Sequence, residues 1–476
     1  MTKRLEVHQH IKEHRGQHLD RIREFMAQPS VSVDNMGMRE CAELQLKYYQ
    51  ELGCKEAEIV ETPGFPGVWA YYDAGAAKTL AVYTYFDTNA VGDGWTNDPY
   101  DVVLAERAPF KEVLYGRGAG NKGTSLAFLN ALSSIIAVEG TLPVNLMFVT
   151  EGEEFVGSLN IPMMIDKYRH HLSKADAGIS PGRCQSANGA VTFHLANKGN
   201  LHIELECSGD MWGKGPRGGP AHSSAACVVD HPVWRLVQAL ATMYDPEENR
   251  ILVEGFYDGL LGPTDEDLEL IDDLVERGLV PGGSGAAGIP HYIDGISGKE
   301  LLLRYCFQPT MNINGLRAGY TGPGTLLWTL PNSARCTIDH RLPPNLEPPE
   351  IAKKIRTHLD KHGYSDISMK ILMDVTANKL GVNDDIAQAG LRVIRDWADN
   401  PAIWPRQGAS GPTGVFSKML GIKVLGGTGM GFGSGHTGGD EFMVTEGDGK
   451  VGGLVELEQS LADLMYSYAA YPNDYK

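Results

Sequence analysis

The feature that most constrains the fold is a regular alternation of apolar runs with helix-like patterns early in the chain. Residues 79–85, 144–150 and 177–180 have the composition of buried strands, and residues 124–138 have the spacing of a helix. Such alternation predicts a mostly parallel sheet covered by helices. In sheets of this kind the chemistry lies beyond the carboxyl ends of the strands. The acidic residues that follow the first two strands are therefore candidates for a site.

The pattern changes near residue 197. Polar and apolar residues then alternate along 201–207 and 335–341, as in half-exposed strands, with Gly/Pro-rich connections between them. The chain, at 476 residues, is also longer than a single core of about 250–300 residues supports. We therefore predict an α/β fold interrupted by an α+β domain. The predicted segments are 1–196 (first part of the α/β domain), 197–375 (inserted domain) and 376–476 (second part of the α/β domain).

Charge and cysteine content exclude several classes of partner. The formal net charge is −18, which repels nucleic acid and anionic lipid at long range, so neither is an expected partner. The first 25 residues are rich in charged groups and lack the apolar centre of a signal peptide. The seven cysteines are odd in number and form no Cys-x-x-Cys pair. These features predict reduced thiols and a cytoplasmic location.

Several short motifs carry residues suited to chemistry. They are Tyr83-Thr-Tyr-Phe-Asp87, Trp95-Thr-Asn-Asp-Pro99, Tyr115-Gly-Arg-Gly-Ala-Gly-Asn-Lys-Gly123, Glu151-Gly-Glu-Glu-Phe-Val-Gly-Ser158, Ala221-His-Ser-Ser224, Ile338-Asp-His-Arg-Leu-Pro343, Arg406-Gln-Gly-Ala-Ser-Gly-Pro412 and Gly431-Phe-Gly-Ser-Gly-His-Thr-Gly-Gly-Asp-Glu441. In this order and spacing they resemble the dizinc metallopeptidase family of carnosine dipeptidase, aminoacylase, acetylornithine deacetylase and succinyl-diaminopimelate desuccinylase. The resemblance extends over nearly the whole chain. It implies a zinc-peptidase-like catalytic domain with an inserted lid or dimerisation domain, assembled as a homodimer.

The resemblance also implies roles for individual residues. Glu153 matches the general base that takes a proton from the metal-bound water, and Glu154 matches a metal ligand. His436 matches the last metal ligand. His222 matches the histidine that stabilises the tetrahedral oxyanion, often from the partner subunit. Asp87 matches the carboxylate that orients the first metal-binding histidine.

Further residues are candidates for contacts with the substrate. Arg341, Arg406 and Ser410 lie in the later motifs that match the substrate side of the family's site. The planar guanidinium of arginine suits a substrate carboxylate, since it donates two parallel hydrogen bonds. Asn121, in the glycine-rich loop, is a candidate substrate contact as well.

The sequence departs from the family at the metal. Tyr85 replaces the first histidine ligand, and either Gly120 or Asn121 replaces the bridging aspartate. Ser180 is followed by proline where the family has a further aspartate. A catalytic zinc site needs about three protein ligands. The expectations for a cofactor are therefore no metal at all or one displaced divalent ion, Zn or Mn.

The expected function is hydrolysis of the amide or peptide C–N bond of a small amino-acid-like or dipeptide-like substrate. Two alternatives remain. One is a metal-independent lyase, cyclase or isomerase in which Glu153 is the base and His222 or Tyr85 donates a proton or binds the oxyanion. The other is a non-catalytic binding protein on the same fold.

Overall fold

The computed structural model describes residues 2–281, 289, 291–324, 327–434 and 438–475. The described helices are α1 (Lys3–Glu13), α2 (Arg15–Ala27), α3 (Met38–Leu52), α4 (Lys122–Glu139), α5 (Ile161–Lys167), α6 (Arg169–Leu172), α7 (Gly209–Trp212), α8 (Pro232–Ala241), α9 (Asp265–Glu276), α10 (Gly298–Phe307), α11 (Pro348–Lys361), α12 (Asp385–Trp397), α13 (Gly414–Leu420) and α14 (Leu454–Ala470). The strands are β1 (Glu56–Val60), β2 (Gly67–Tyr72), β3 (Thr79–Tyr85), β4 (Val103–Arg107), β5 (Phe110–Tyr115), β6 (Asn145–Glu151), β7 (Ala177–Ser180), β8 (Thr192–His194), β9 (Ala196–Asn197), β10 (Gly199–Ser208), β11 (Ala221–His222), β12 (Tyr244–Asp245), β13 (Arg250–Ile251), β14 (Asn312–Ala318), β15 (Thr329–Leu330), β16 (Ser333–Leu342), β17 (Ser368–Val375), β18 (Asn378–Lys379), β19 (Ala402–Trp404), β20 (Val424–Gly426), β21 (Gly433–Ser434) and β22 (Phe442–Glu446). Among the helices just given, none is long and apolar enough to cross a membrane.

A six-stranded sheet forms the centre of the α/β domain, in the order β1-β2-β6-β3-β7-β20. Strands β6, β3, β7 and β20 run parallel, and β2 and β1 continue the sheet antiparallel at one edge. The mostly parallel sheet predicted from the sequence is thus confirmed. In register, Tyr85 at the end of β3 lies opposite Glu151 at the end of β6. The polar residues after both strands consequently meet at one edge of the sheet.

The central strands are buried on both faces, which explains why they read as continuous apolar runs. Along β3, Leu80 and Val82 pack into the core formed with α4 and α14, whereas Ala81 and Tyr83 pack against α5 and α13. Successive side chains of a strand point to opposite faces, so each face receives every second residue. This packing holds the carboxyl edge of the sheet in a fixed position.

The inserted domain contains a four-stranded antiparallel sheet in the order β14-β16-β10-β17. One face of β10, with Leu201, Ile203 and Leu205, packs against α8 and α11 in a separate core. The opposite face carries residues that are only partly buried, such as His202 and Glu204. This alternation is the half-exposed pattern seen in the sequence. Strand β14 forms an edge of the sheet and is largely exposed.

A smaller antiparallel sheet, β21-β22-β5-β4, joins distant parts of the chain. Tyr115 at the end of β5 pairs with Phe442 at the start of β22. The glycine-rich loop after β5 and the loop that ends at Glu441 therefore lie side by side. The main chain confirms this, since the amide of Gly116 donates to the carbonyl of Glu441 at 3.0 Å.

A buried histidine makes the inserted domain sensitive to acid. His340 on β16 is 0% exposed, and its Nδ1 lies 2.9 Å from the carbonyl oxygen of Leu201. Burial lowers the pKa of His340 to about 4, whereas an unfolded histidine titrates near 6.5. The unfolded state thus binds the proton first as the pH falls. The contribution to stability is complete above about pH 6.5 and is lost as the pH falls from there towards about 4.

We predict that the free energy of unfolding falls by about 2 kcal/mol between pH 7 and pH 5 because of His340 alone. Denaturant titrations at both pH values should show a smaller fall for His340→Leu than for the wild type. His170→Leu, at an exposed position, is the control and should keep the wild-type fall. Equal falls in the wild type and His340→Leu would contradict the assignment.

Candidate active site

The candidate site lies at the carboxyl edge of the central sheet, where three parallel strands end together. Tyr85 ends β3, Glu151 ends β6 and Ser180 ends β7. A short 3₁₀ turn, Glu154–Val156, follows β6. The structure thus brings together Tyr85, Asp87 and the Glu153–Glu154 pair, as the parallel topology predicted.

Asp87 holds the turn after β6 in place. Its carboxylate is fully buried and accepts hydrogen bonds from the Ser32 hydroxyl at 2.8 Å and from the backbone amides of Glu154 and Phe155, both at 3.0 Å. The side-chain amide of Asn121 donates to the Asp87 carbonyl at 2.6 Å. Burial raises the pKa of Asp87 to about 6, although these hydrogen bonds oppose the rise. Asp87 is therefore a positioning residue that connects four segments of chain.

The carboxylate of Glu153 is enclosed by hydrogen-bond donors. Its carboxylate accepts from the amide of Phe65 at 2.6 Å and from the amide of Asn160 at 3.2 Å. The Asn160 side chain also donates to both oxygens at 2.9 Å. Only 4% of Glu153 is exposed, and a Cβ on Gly64 would lie 1.7 Å from its Oε1. This geometry is that of a structural anchor for the loop.

Glu154 has the opposite environment. It is half-buried, and no donor among the residues that the structure describes forms a hydrogen bond with its carboxylate. Burial, followed by the negative charge of Asp87, raises its pKa to about 8. A partly accessible carboxylate with a raised pKa is typical of catalytic acids and bases. Of the two adjacent glutamates, Glu154 is thus the one whose carboxylate lacks a donor among the described residues.

Tyr85 lies among these acidic groups. Burial raises the pKa of Tyr85 far above its usual value, and the carboxylates of Glu154, Asp87 and Glu441 raise it further. Its ring meets that of Phe155 edge to face, with centroids 5.9 Å apart. Tyr85 therefore keeps its phenolic proton, which suits a hydrogen-bond donor and does not suit a metal ligand.

Glu441 and Arg183 also lie here, and of the two only Arg183 has no role predicted from the sequence. The carboxylate of Glu441 accepts from Arg117 Nη1 at 3.1 Å and from the amides of Gly118 and Gly120 at 3.0 and 2.7 Å. The guanidinium of Arg183 donates to the carbonyl oxygens of Ala119 at 3.2 Å and Gly120 at 3.4 Å. Burial lowers the pKa of Arg183 to about 10, and Glu441 and Tyr85 oppose this fall. The sequence feature that could have pointed to Arg183 is its position, three residues after the end of β7.

The described side chains do not fit a divalent metal ion. The oxygens of Asp87 are engaged by a hydroxyl and two amides, and Asn121 presents its amide nitrogen to a carbonyl. Within the described ranges, no three His, Cys, Asp or Glu side chains are grouped to hold an ion. The guanidinium of Arg183 adds a positive charge beside the loop expected to supply the bridging ligand. His436, the other predicted ligand, lies outside the described residues.

The predicted substrate contacts Arg341 and Ser410 form a second group. Arg341 Nη1 donates to the Ser410 hydroxyl at 2.9 Å, and this hydroxyl donates to the carbonyl of Gly199 at 3.1 Å. Asp339 accepts from Arg341 Nε at 3.2 Å. Arg341 is thus fixed in one orientation by a serine and a carboxylate.

Arg406 and Lys198 belong to the same group. Arg406 is 2% exposed and lies 4.1 Å from the ring centroid of Phe307. Its Nε and Nη1 have no hydrogen-bond partner among the described residues. Burial lowers the pKa of Lys198 to about 8, and the charges of Arg406 and Arg341 lower it as well. Clustered cations with unpaired buried donors favour an anionic ligand.

His222 stands apart from both groups in a single chain. It is exposed on β11, and its Nδ1 lies 2.8 Å from the Ser224 hydroxyl. The described residues provide no hydrogen bond from His222 to the segment around Glu154 or to Arg341. A role for His222 in the site therefore requires a second subunit, as the resemblance implies.

The hydrogen bonds that Asp87 accepts predict a large effect of its removal on stability. In Asp87→Ala two buried amides and one hydroxyl lose their acceptor, so we expect a loss of about 2–4 kcal/mol in the free energy of unfolding. The control is Asp73→Ala, since exposed Asp73 also accepts from a backbone amide, that of Gly75. This control should lose less than about 1 kcal/mol. Comparable losses in urea denaturation would show that Asp87 does not brace the turn.

Comparisons with known proteins agree with this architecture. Residues 196–367 match the family described as Peptidase dimerisation domain. The human Beta-Ala-His dipeptidase is 28% identical over 65% of this chain and 58% of its own length. The Cys-Gly metallodipeptidase DUG1 of Candida albicans is 24% identical over 87% of this chain and 88% of its own length. The chain spans 58–63% of the length of the Beta-Ala-His dipeptidases that it matches.

A solved structure matches almost the entire fold. The M20 family metallo-carboxypeptidase Sso-CP2 from Sulfolobus solfataricus superposes with a TM-score of 0.83 at 27% identity. The match covers 95% of this chain and 99% of the other. Over nearly its whole length the chain is thus similar to M20 peptidases, which combine a catalytic domain with a dimerisation domain.

Proposed function

We propose that the chain is a hydrolase that cleaves the amide C–N bond of a small dipeptide-like or N-acyl amino-acid substrate, with Glu154 as its acid–base group. The observation that carries the proposal is the contrast between the two glutamates. Glu153 is held by four hydrogen bonds, whereas the described residues leave the half-buried carboxylate of Glu154 without a donor. The names of the relatives, which are dipeptidases, support a peptide-like substrate.

In the proposed reaction Glu154 takes a proton from a water molecule, whose oxygen attacks the carbonyl carbon. The protonated Glu154 then gives this proton to the leaving nitrogen as the C–N bond breaks. Positioned acid–base catalysis contributes about 10²–10⁴-fold, and a preorganised oxyanion donor contributes about 10²–10³-fold. Both contributions apply to the amide bond of a dipeptide-like or N-acyl amino-acid substrate. This reassigns to Glu154 the role that the sequence suggested for Glu153.

The second group of residues is the proposed site for the substrate carboxylate. Arg341 is oriented by Ser410 and Asp339, and Arg406 keeps two buried donors unpaired. An unpaired guanidinium in an apolar setting is costly, and a bidentate carboxylate offsets that cost. A dipeptide or an N-acyl amino acid supplies such a carboxylate at a fixed distance from the scissile bond.

We further propose that the chain acts as a homodimer in the cytoplasm. The match to a peptidase dimerisation domain supports the dimer, and the exposed position of His222 suits an oxyanion contact across the subunits. The seven cysteines are free, which suits a reducing compartment. With a net charge of −18, partners are expected among small molecules rather than nucleic acids.

The assignment of Glu154 predicts a sharp difference between two neighbouring variants. Against a panel containing β-Ala-His, Cys-Gly, N-acetyl amino acids and amino-acid p-nitroanilides, Glu154→Gln should lower kcat by about 10²–10⁴-fold. Glu153→Gln should keep kcat within about tenfold and lower the thermal stability, because its amide group faces the donors of Phe65 and Asn160.

If instead Glu153→Gln lost activity and Glu154→Gln kept it, the acid–base role would belong to Glu153. Unchanged kcat in both variants would exclude acid–base chemistry by this pair. Turnover confined to eliminations, cyclisations or isomerisations would favour the metal-independent alternative. Binding of dipeptides without turnover, unaffected by both substitutions, would indicate a binding protein.

The cationic group predicts an effect on substrate affinity. Arg341→Gln should raise KM by about 10–100-fold for substrates with a free carboxylate, since hydrogen bonds to charged groups contribute about 1.5–3 kcal/mol. The same substrates with an amidated C-terminus should show no further loss. Arg335→Gln is the control, because Arg335 lies on the same strand and its side chain is exposed. Equal effects on the acid and the amide would rule out carboxylate recognition by Arg341.

A further inference from the structure

The backbone around Arg183 leaves room for its side chain and provides acceptors for its guanidinium. The residue follows β7, and its guanidinium reaches the carbonyl oxygens of Ala119 and Gly120. Two glycines of the segment before β22 leave room for it. A Cβ on Gly433 would lie 2.6 Å from Arg183 Nη1, and a Cβ on Gly431 would lie 3.6 Å from its Cδ. The side chain is therefore seated between two loops and does not extend freely into solvent.

The surroundings of this guanidinium are those expected of a metal ion in the family. The glycine-rich loop that it contacts is the segment expected to hold the bridging carboxylate, with Gly120 or Asn121 at that position. The end of β7, from which it extends, is where a further aspartate ligand is expected. The carboxylate of Glu441 and the phenol of Tyr85 both favour its charged form. A divalent ion placed here would be repelled by the guanidinium.

Arginine keeps its charge through its interactions and offers several donors. A guanidinium carries five N–H groups in a fixed plane. Ala119 and Gly120 take two of them through long contacts of 3.2 and 3.4 Å. The remaining N–H groups suit an oxygen that carries a full or developing negative charge.

We propose that the guanidinium of Arg183 replaces the divalent metal ion as the fixed positive charge of this active site and binds the substrate carbonyl oxygen as it becomes an oxyanion. The binding of the oxyanion rests on the proposed hydrolase function. The absence of a functional metal site does not rest on it. No proton or electron is transferred to Arg183, since it acts only through its charge and its N–H groups.

The first test uses zinc and manganese alone and needs no substrate. The full-length protein is dialysed against a chelator and titrated with each ion by calorimetry, together with Glu154→Gln. If the proposal is right, the wild type has no zinc or manganese site that both binds with a Kd below about 1 µM and disappears in Glu154→Gln. Ion binding that is equal in both proteins lies elsewhere and also supports the proposal. One tight equivalent that Glu154→Gln abolishes would overturn it.

The second test measures turnover of the best substrate from the panel, with chelator present throughout. Arg183→Gln should lower kcat by about 10²–10³-fold with a small change in KM, and Arg183→Lys should restore part of the loss. The control Arg356→Gln removes an arginine that also donates to two backbone carbonyls, those of Tyr364 and Ile367, and should keep wild-type kcat. Thermal unfolding of Arg183→Lys shows whether the site remains folded. Full activity of Arg183→Gln would overturn the proposal.

The two tests separate this inference from the proposed function. If no substrate is hydrolysed, the hydrolase function fails and the zinc titration still decides whether the site is metal-free. If turnover depends on Glu154 and the chelator abolishes it in the wild type, the hydrolase stands and the role of Arg183 fails.

Discussion

The arrangement of the site depends on one buried carboxylate. Asp87 binds the amides at the start of the turn after β6 and the hydroxyl of Ser32, and its carbonyl accepts from Asn121. A buried carboxylate is stable only when its hydrogen bonds are made. The segments that supply these donors are therefore held together, and the direction of each glutamate after β6 follows from that geometry. In the family that this chain resembles, the corresponding carboxylate orients a metal ligand, whereas here it orients backbone.

Charge compensation between side chains explains much of the rest of the site. Acidic groups gather at the carboxyl edge of the sheet, where burial makes their ionisation costly. Part of this negative charge is balanced by Arg117, which donates to Glu441, and by Arg183, which lies near Glu441 and Tyr85. Glu154, for which the described residues provide no donor, keeps a raised pKa. The polar groups at this edge of the sheet are thus held mainly by contacts with one another.

Much of the fold could be predicted because it is encoded locally. The strand predicted over 79–85 coincides with β3, and the helix predicted over 124–138 lies within α4. Both are buried segments whose apolar pattern ends at polar residues. The small sheet that pairs β5 with β22 was not predicted, because it joins residues more than 300 positions apart and local periodicity carries no information on such pairing.

The same limit applies to the site. Adjacent glutamates are equivalent in a sequence motif, and the contacts of Asn160 and Phe65 distinguish Glu153 from Glu154 only in three dimensions. Arg183 was missed for a related reason. Its partners belong to a loop about 60 residues earlier in the chain, so its sequence neighbours give no sign of the contact.

The contacts of Arg183 limit how a metal site could be introduced here by substitution. A carboxylate introduced at position 121 would be attracted to the nearby guanidinium, so it would not by itself create a metal ligand. Loss of Arg183 alone would leave the carbonyls of Ala119 and Gly120 without their donor and a gap above Gly433. Each single substitution therefore disturbs a contact of Arg183. A metal site at this position would require changes at both places together.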